Sequence, residues 1–255
     1  MLRSRVIPCL LVHKKGLVKT VKFAEPKYVG DPLNAVKIFN EKEVDELIVL
    51  DIDASVNGTQ PDYSLIEKLA SECRMPLCYG GGVKNVEQAR KIIELGVEKV
   101  ALSSAALENP SIISSIAAVV GGQSVVAVVD VKKTLLGSYT VCVHNGKKKV
   151  KGDLETLLRS LEECGAGEIV VNSIDNDGVM KGYDLKLAEK ARESVSVPLT
   201  VLGGAGSKDD ILGLVDRFKV IGAAAGSLFV FKGIYKAVLI NYLSQEEKNK
   251  LMRTL

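Results

Sequence analysis

Glu46-Leu-Ile-Val-Leu-Asp-Ile-Asp53 is an apolar run set between a glutamate and two aspartates, and about 120 residues later it returns as Glu168-Ile-Val-Val-Asn-Ser-Ile-Asp175. A short, near-continuous apolar run of this kind reads as a parallel β-strand covered on both faces. Its return at a fixed offset means that the architecture is doubled. Two more pairs share the offset: Cys78-Tyr-Gly-Gly-Gly82 with Val201-Leu-Gly-Gly-Ala205, and Ala101-Leu-Ser-Ser104 with Ala224-Ala-Gly-Ser227.

Working outward, the same pattern predicts eight strands: Val6–Val12, Glu46–Ile52, Pro76–Gly80, Val97–Ser103, Ser124–Val131, Glu168–Ile174, Pro198–Gly203 and Phe218–Ala225. Between them lie amphipathic segments with helix start signals, among them Asp31–Glu43 with Pro32 in its first turn, Asn85–Leu95, Asn109–Val119 and Lys151–Cys164. Eight strand–helix units in 255 residues give a (β/α)8 TIM barrel built from two half-barrel repeats, a single domain over 1–255. A doubly wound open sheet is the alternative, but it would carry a dinucleotide glycine fingerprint after its first strand, and none is present. Two segments interrupt the alternation: a Lys-rich loop from His13 to Gly30, and a hairpin from Lys132 to Val150 that contains Asn145-Gly146.

Composition excludes several classes. With 47% hydrophobic residues, 25% charged, 23 Gly and 7 Pro, the chain can bury a large core and is neither disordered nor collagen-like. The 34 Lys and Arg are interleaved with 31 Asp and Glu, so a net charge of +3 leaves no footprint for nucleic acid. The start of the chain lacks the pattern of a signal peptide, and every apolar run is cut short of the roughly 20 residues that span a bilayer. A cytoplasmic protein with no membrane partner is expected. Cys9, Cys73, Cys78, Cys142 and Cys164 are odd in number and sit in apolar surroundings, which favours buried thiols over disulfides or zinc. Neither a metal nor a redox or nucleotide cofactor is expected.

Barrels of this kind place their chemistry at the C-terminal rim, in the loops after the strands. There, Gly80-Gly81-Gly82 with Ser103-Ser104, and Gly203-Gly204 with Gly226-Ser227, offer backbone N–H groups and small hydroxyls, the groups that bind phosphate. Two such clusters related by the repeat predict a ligand with two phosphates across the mouth. Asp130 ends strand 5 within an apolar run and is the best general acid or base. Asp51, Asp53, Asp175 and Asp177 gather after strands 2 and 6, either capping loops or touching ligand, with Asp177-Gly178 the better contact. The repeat position of Asp130 on strand 1 holds Leu11. His13 and His144 read as loop and hairpin residues. Among Lys14, Lys15, Lys19, Lys22 and Lys27, which either steer an anion or solvate a loop, Lys19 is the best single choice. Arg5, Glu46, Lys99 and Glu168 fall at the N-terminal strand ends, where they would form either a plug of alternating charge or a structural salt-bridge cluster.

Read together, Met1-Leu-Arg-Ser-Arg-Val-Ile-Pro-Cys-Leu10, Tyr28-Val-Gly-Asp-Pro32, Gly80-Gly-Gly82, Ala106-Leu-Glu-Asn-Pro110, Ser173-Ile-Asp-Asn-Asp-Gly178 and Gly203-Gly-Ala-Gly206 make the chain resemble the cyclase subunit of imidazole glycerol phosphate synthase. The resemblance implies a barrel that binds a ribulosyl ligand with two phosphates and uses ammonia from a glutaminase partner. It implies one phosphate site at Gly82, Ser103 and Ser104, where the family has Asn-Thr in place of Ser-Ser, and the other at Asp177, Gly178, Gly203 and Ser227. Arg5, Glu46, Lys99 and Glu168 match the family's charged gate for ammonia. Asp130 matches one of the family's two catalytic carboxylates, and Leu11 stands where the other belongs. A kept gate with a lost carboxylate, together with Gly16-Leu-Val-Lys-Thr-Val-Lys-Phe23, is similar to the cyclase-like proteins associated with amidation of surface-polysaccharide sugars, where a separate sugar amidotransferase receives the ammonia. The alternatives are a histidine-pathway cyclase and a phosphate-binding scaffold without chemistry.

Overall fold

A computed structural model describes residues 3–253; Met1, Leu2, Thr254 and Leu255 lie outside the described residues. Eight parallel strands close on themselves: β1 (Arg5–His13), β2 (Leu47–Asp51), β3 (Leu77–Gly80), β4 (Lys99–Leu102), β5 (Val125–Lys133), β6 (Glu168–Ser173), β7 (Leu199–Leu202) and β8 (Gly222–Ala225). Each pairs with the next, β5 with β6 along six positions, and β8 returns to β1 with Arg5 opposite Gly222. The chain forms the closed (β/α)8 barrel that its repeat predicts.

The apolar runs are near-continuous because both faces of every strand are covered. Along β1, Ile7 and Cys9 point into the barrel, where they meet Ile48, Cys78, Val126, Val170 and Ala224. Their neighbours Val6, Leu10 and Val12 point outward and pack beneath the helices. That outer shell consists of α1 (Pro32–Glu41), α2 (Tyr63–Glu72), α3 (Val86–Glu94), α4 (Ser111–Val120), α5 (Leu154–Glu163), α6 (Leu185–Ser194), α7 (Lys208–Phe218) and α8 (Gln245–Arg253). Their starts are written locally. Asp31, Asn85 and Asp153 each accept a backbone N–H three residues on, at 2.9 Å, and Ser207 with Asp210 forms a reciprocal capping box. No helix among the described residues is long and apolar enough to cross a membrane.

Two boundaries differ from the sequence reading. Phe218 ends α7 instead of opening β8, and the chain reverses at Lys219 with φ of 60° before the strand begins at Gly222. The segment after His13 is a hairpin: Gly16–Val21 runs antiparallel to β1 and to Ala24–Gly30. Leu17 and Val18 are buried in it, whereas the surrounding lysines had made the stretch read as a solvated loop. The second interruption is the expected hairpin, with Tyr139–Val143 antiparallel to β5 and a tight turn at His144, Asn145 and Gly146 where all three residues have positive φ.

Candidate functional site

The two ends of the barrel have opposite chemistry. At the N-terminal end, Arg5, Glu46, Lys99 and Glu168 close a ring of four ion pairs across the axis. Arg5 pairs with Glu46, and its second nitrogen reaches Glu168 at 2.8 Å. Lys99 Nζ lies 2.8 Å from both carboxylates. The glutamate side chains are 4–5% exposed and the cations 20–22%. Burial works against the charges of Arg5, Lys99 and Glu168, and the partners overcome it: Glu168 is held below the usual carboxylate range by hydrogen bonds and field from Arg5 and then Lys99, while Lys99 is raised by Glu168 and Glu46. Thr200 is a member that the sequence reading missed. Its hydroxyl donates to Glu168 Oε1 at 2.6 Å, and Gly222 faces it, where a Cβ would sit only 1.9 Å from Thr200 Oγ1. A lone threonine inside an apolar parallel strand was the available signal.

At the C-terminal mouth, one cavity is lined by residues from all eight strand ends, among them Leu11, Lys19, Gly82, Ser103, Ser104, Asp130, Asn172, Asp177, Gly178, Gly203 and Ser227. Asp51 lines it as well, whereas Asp53, Asp175 and the lysines at 14, 15, 22 and 27 do not. Gly82 has φ of 74°, and a Cβ on it would press on Ala54 and on the Thr59 carbonyl at 2.9 Å, so only glycine gives this turn its path. Ser103 Oγ is buried with no hydrogen-bond partner among the described residues, and Ser104 Oγ accepts the His144 N–H at 3.2 Å. Across the mouth, Gly203 has φ of 94° and lies close above the Ser173 carbonyl.

Asp130 projects from β5 into this cavity. Burial pushes its carboxyl up to about 6, opposed by the hydrogen bond from Asn172 Nδ2 at 2.9 Å and supported by the charge of Asp177. Across the mouth from it, on β1 and β2, Leu11 and Leu50 face the barrel interior in register. A group poised near neutral pH fits proton transfer, but the position that mirrors it in the repeat, Leu11, carries no carboxylate.

The other aspartates hold loops. Asp51, raised by burial, accepts the Asp53 and Ala54 amides at 2.8 and 3.1 Å. Asp53 pairs with His13 at 2.6 Å and accepts the Lys14 N–H, and Asp175 accepts the Lys133 N–H at 2.6 Å. Asp177, read in the sequence as a ligand contact, lines the cavity and also ties down the first hairpin, its carboxylate accepting from the Thr20 hydroxyl at 2.7 Å and the Phe23 N–H at 3.1 Å. Lys22 N–H reaches the Asp177 carbonyl at 2.9 Å, and Asn145 Nδ2 reaches the Ile52 carbonyl at 2.9 Å, so the first hairpin and the 144–146 turn close over the mouth together. Thr20, Phe23 and Asn145 were not legible as site residues, because their roles come from contacts about 90 to 160 residues away.

Lys19 separates from the other lysines. Lys14, Lys15, Lys22 and Lys27 are exposed, whereas Lys19 is 5% exposed and donates to the Cys9 carbonyl at 2.5 Å. Burial lowers its pKa. A Cβ on Gly226 would sit 2.6 Å from Lys19 Nζ, which places the ammonium beside the Gly226-Ser227 turn. All five cysteines are free thiols.

A closed parallel barrel with a polar cavity at its C-terminal strand ends, above an axial ring of buried ion pairs, defines a (β/α)8 TIM-barrel protein. The family model described as histidine biosynthesis protein matches residues 5–236, and the chain belongs to that family. It is 65% identical to a Vibrio vulnificus protein provisionally named imidazole glycerol phosphate synthase subunit hisF3, over 99% of this chain and 97% of the relative. It is 60% identical to a provisionally named subunit HisF of Leptospira interrogans, over 98% and 99%. Imidazole glycerol phosphate synthase subunit HisF of Alkaliphilus metalliredigens is 37% identical over 92% of this chain and 93% of its own length.

Proposed function

We propose that this chain is a HisF-type subunit that takes ammonia from a glutaminase partner at its charged end and passes it through the barrel to support amidation of a surface-polysaccharide sugar by a separate amidotransferase. The observation that carries this reading is Leu11. It faces the mouth beside Leu50, where the resembling cyclases have their second carboxylate, and leucine neither donates nor accepts a proton. Loss of one general acid or base costs about 10²–10⁴ in rate. The complete ring of Arg5, Glu46, Lys99 and Glu168 at the other end supports continued handling of ammonia. Gly82, the unpartnered Ser103 hydroxyl and Ser104 on one side, with Gly178, Gly203, Ser227 and Lys19 on the other, support a ligand with two phosphates in the mouth.

A second reading, formation of imidazole glycerol phosphate in histidine biosynthesis, is favoured by the relatives' names and by Asp130, whose carboxyl near 6 suits a general base on its own. Steady-state turnover of the two-phosphate ribulosyl substrate with ammonium salt separates the two. The amidation reading expects the wild type to bind this substrate calorimetrically without turning it over at cyclase rates, and Leu11→Asp to gain imidazole formation. Wild-type turnover that Asp130→Asn abolishes would establish the histidine-pathway reading instead.

A further inference from the structure

Asp130 and Asn172 lie side by side in register on β5 and β6, and their repeat-mates Leu11 and Leu50 lie side by side in register on β1 and β2. The floor of the mouth is therefore polar on one half and apolar on the other. Asn172 Nδ2 donates to Asp130 Oδ1 at 2.9 Å, which fixes the orientation of the amide. Its carbonyl oxygen is left buried, in a residue 6% exposed, with no donor among the described residues reaching it. An unpaired buried acceptor is costly, and a native site that keeps one has a use for it.

The surroundings narrow that use. Gly203 keeps the space beside Asn172 Oδ1 open, since a Cβ there would sit 3.1 Å from the oxygen. Among the described residues, the Asn172 amide is the one hydrogen-bond donor to the Asp130 carboxylate. The ammonium of Lys19, in the same cavity, is turned to the Cys9 carbonyl, while the ionisable groups that interact with Asp130 are Asp177, Cys9 and Cys142. Among the described residues, the Asn172 carbonyl oxygen thus has no donor and the Asp130 carboxylate has one, which leaves two acceptors, one neutral and one anionic, with capacity to spare at the inner end of the cavity. The wall opposite them is aliphatic, and the barrel interior beneath is lined by Cys9, Val128, Val126 and Val170. A small species with several N–H donors on one atom satisfies both acceptors at once, whereas a sugar hydroxyl has a single hydrogen to give and an ionised phosphate or carboxylate has none.

We propose that the Asp130–Asn172 pair is a receiving site for ammonia or ammonium at the inner end of the mouth, with Asn172 positioning Asp130 and supplying the second acceptor. This rests on the reading that ammonia enters the barrel, and it names the groups that take the nitrogen where the barrel opens. The Leu11–Leu50 wall leaves the bound nitrogen with acceptors to one side only.

The test uses the full chain alone. With ¹⁵N-labelled asparagine, the Asn172 side-chain amide is identified by its loss in a folded Asn172→Leu variant, and is then followed during titration with ammonium, sodium and tetramethylammonium chlorides at matched ionic strength. Tetramethylammonium carries the same charge with no N–H. The expected result is a saturable shift with ammonium at an apparent affinity about tenfold or more above either control cation, the ratio that one charge-assisted hydrogen bond provides. That shift is lost in Asp130→Asn and retained in Leu11→Ala. Equal shifts with all three cations, or no saturable shift with ammonium in the folded wild type, would overturn the proposal. Neither partner nor acceptor sugar enters the experiment, so its outcome is independent of whether sugar amidation is the physiological reaction.

Discussion

Replacing Lys99 by Met tests whether the ring at the N-terminal end holds its carboxylates by charge. Methionine keeps most of the aliphatic stem and removes the ammonium that lies 2.8 Å from both Glu46 and Glu168. Two glutamates with 4–5% exposed side chains are then left with Arg5 alone. At an effective dielectric constant near 20, one pair of unit charges about 4 Å apart interacts by ~4 kcal/mol, and breaking a buried pair costs about 3–5 kcal/mol. Because Lys99 is itself one-fifth exposed, we expect the lower end, a loss of about 3 kcal/mol. The partner variant Glu46→Gln removes one carboxylate, so Lys99→Met/Glu46→Gln recovers at least ~1 kcal/mol of that loss, a coupling of the size expected for contacting residues.

The pH dependence has a definite sign. Glu168 titrates below its ordinary value because Arg5 and Lys99 outweigh the effect of burial. Its contribution is present above the unfolded carboxylate value of about 4.3 and is lost as pH falls through the lower folded value. Without Lys99 one glutamate is pushed upward and protonates readily, so the deficit of the variant is largest near pH 7 and shrinks toward pH 4. Urea unfolding followed by far-UV circular dichroism reads both effects, since the chain has no Trp. A Lys99→Met midpoint within about 0.5 kcal/mol of wild type, the size of an exposed pair, or a double variant less stable than the single, would refute the reasoning.

Three further outcomes follow from the same contacts. Asp130 titrates near 6 in the fold and near 3.9 unfolded, so the native state binds the extra proton between these values and stability falls as pH rises through them; Asp130→Asn should flatten thermal melting between pH 4 and 6 and raise it at pH 7, and an unchanged slope would count against it. Gly222→Ala places a Cβ 1.9 Å from Thr200 Oγ1, and we expect about 1–3 kcal/mol of overpacking in urea unfolding, whereas wild-type stability would mean that Thr200 is free to turn away. Asp177→Asn weakens the latch to Thr20 and Phe23 by about 1.5 kcal/mol, so limited trypsin digestion should cut at Lys22 or Lys27 roughly tenfold faster; unchanged cleavage would show that other contacts hold the hairpin.

Much of the architecture was legible because parallel barrel strands are covered on both faces and so leave apolar runs that stand out singly and repeat as a set. Helix starts were equally local, as with Asp31, Asn85 and Asp153 reaching N–H groups three residues on. Boundaries failed where neighbours in sequence misled, as at Phe218, and in the His13–Gly30 segment, whose lysines concealed a strand with a buried Leu17-Val18 core. Asp130 and the ring of four charges were found because a charge inside or at the edge of an apolar strand is conspicuous.

By itself, then, the sequence determined the repeat, the eight strands, the glycine turns and the presence of leucine where a carboxylate was expected, because each of these is written in residue type and spacing. Only the tertiary structure decided that Asp177 latches the first hairpin, that Lys19 alone of its lysines turns inward, that Thr200 completes the ring, and that Asn172 orients Asp130 with its own oxygen unpaired. These depend on the closure of the barrel, which brings side chains tens to more than a hundred residues apart within hydrogen-bonding distance, and no local pattern encodes which partner will stand across the mouth.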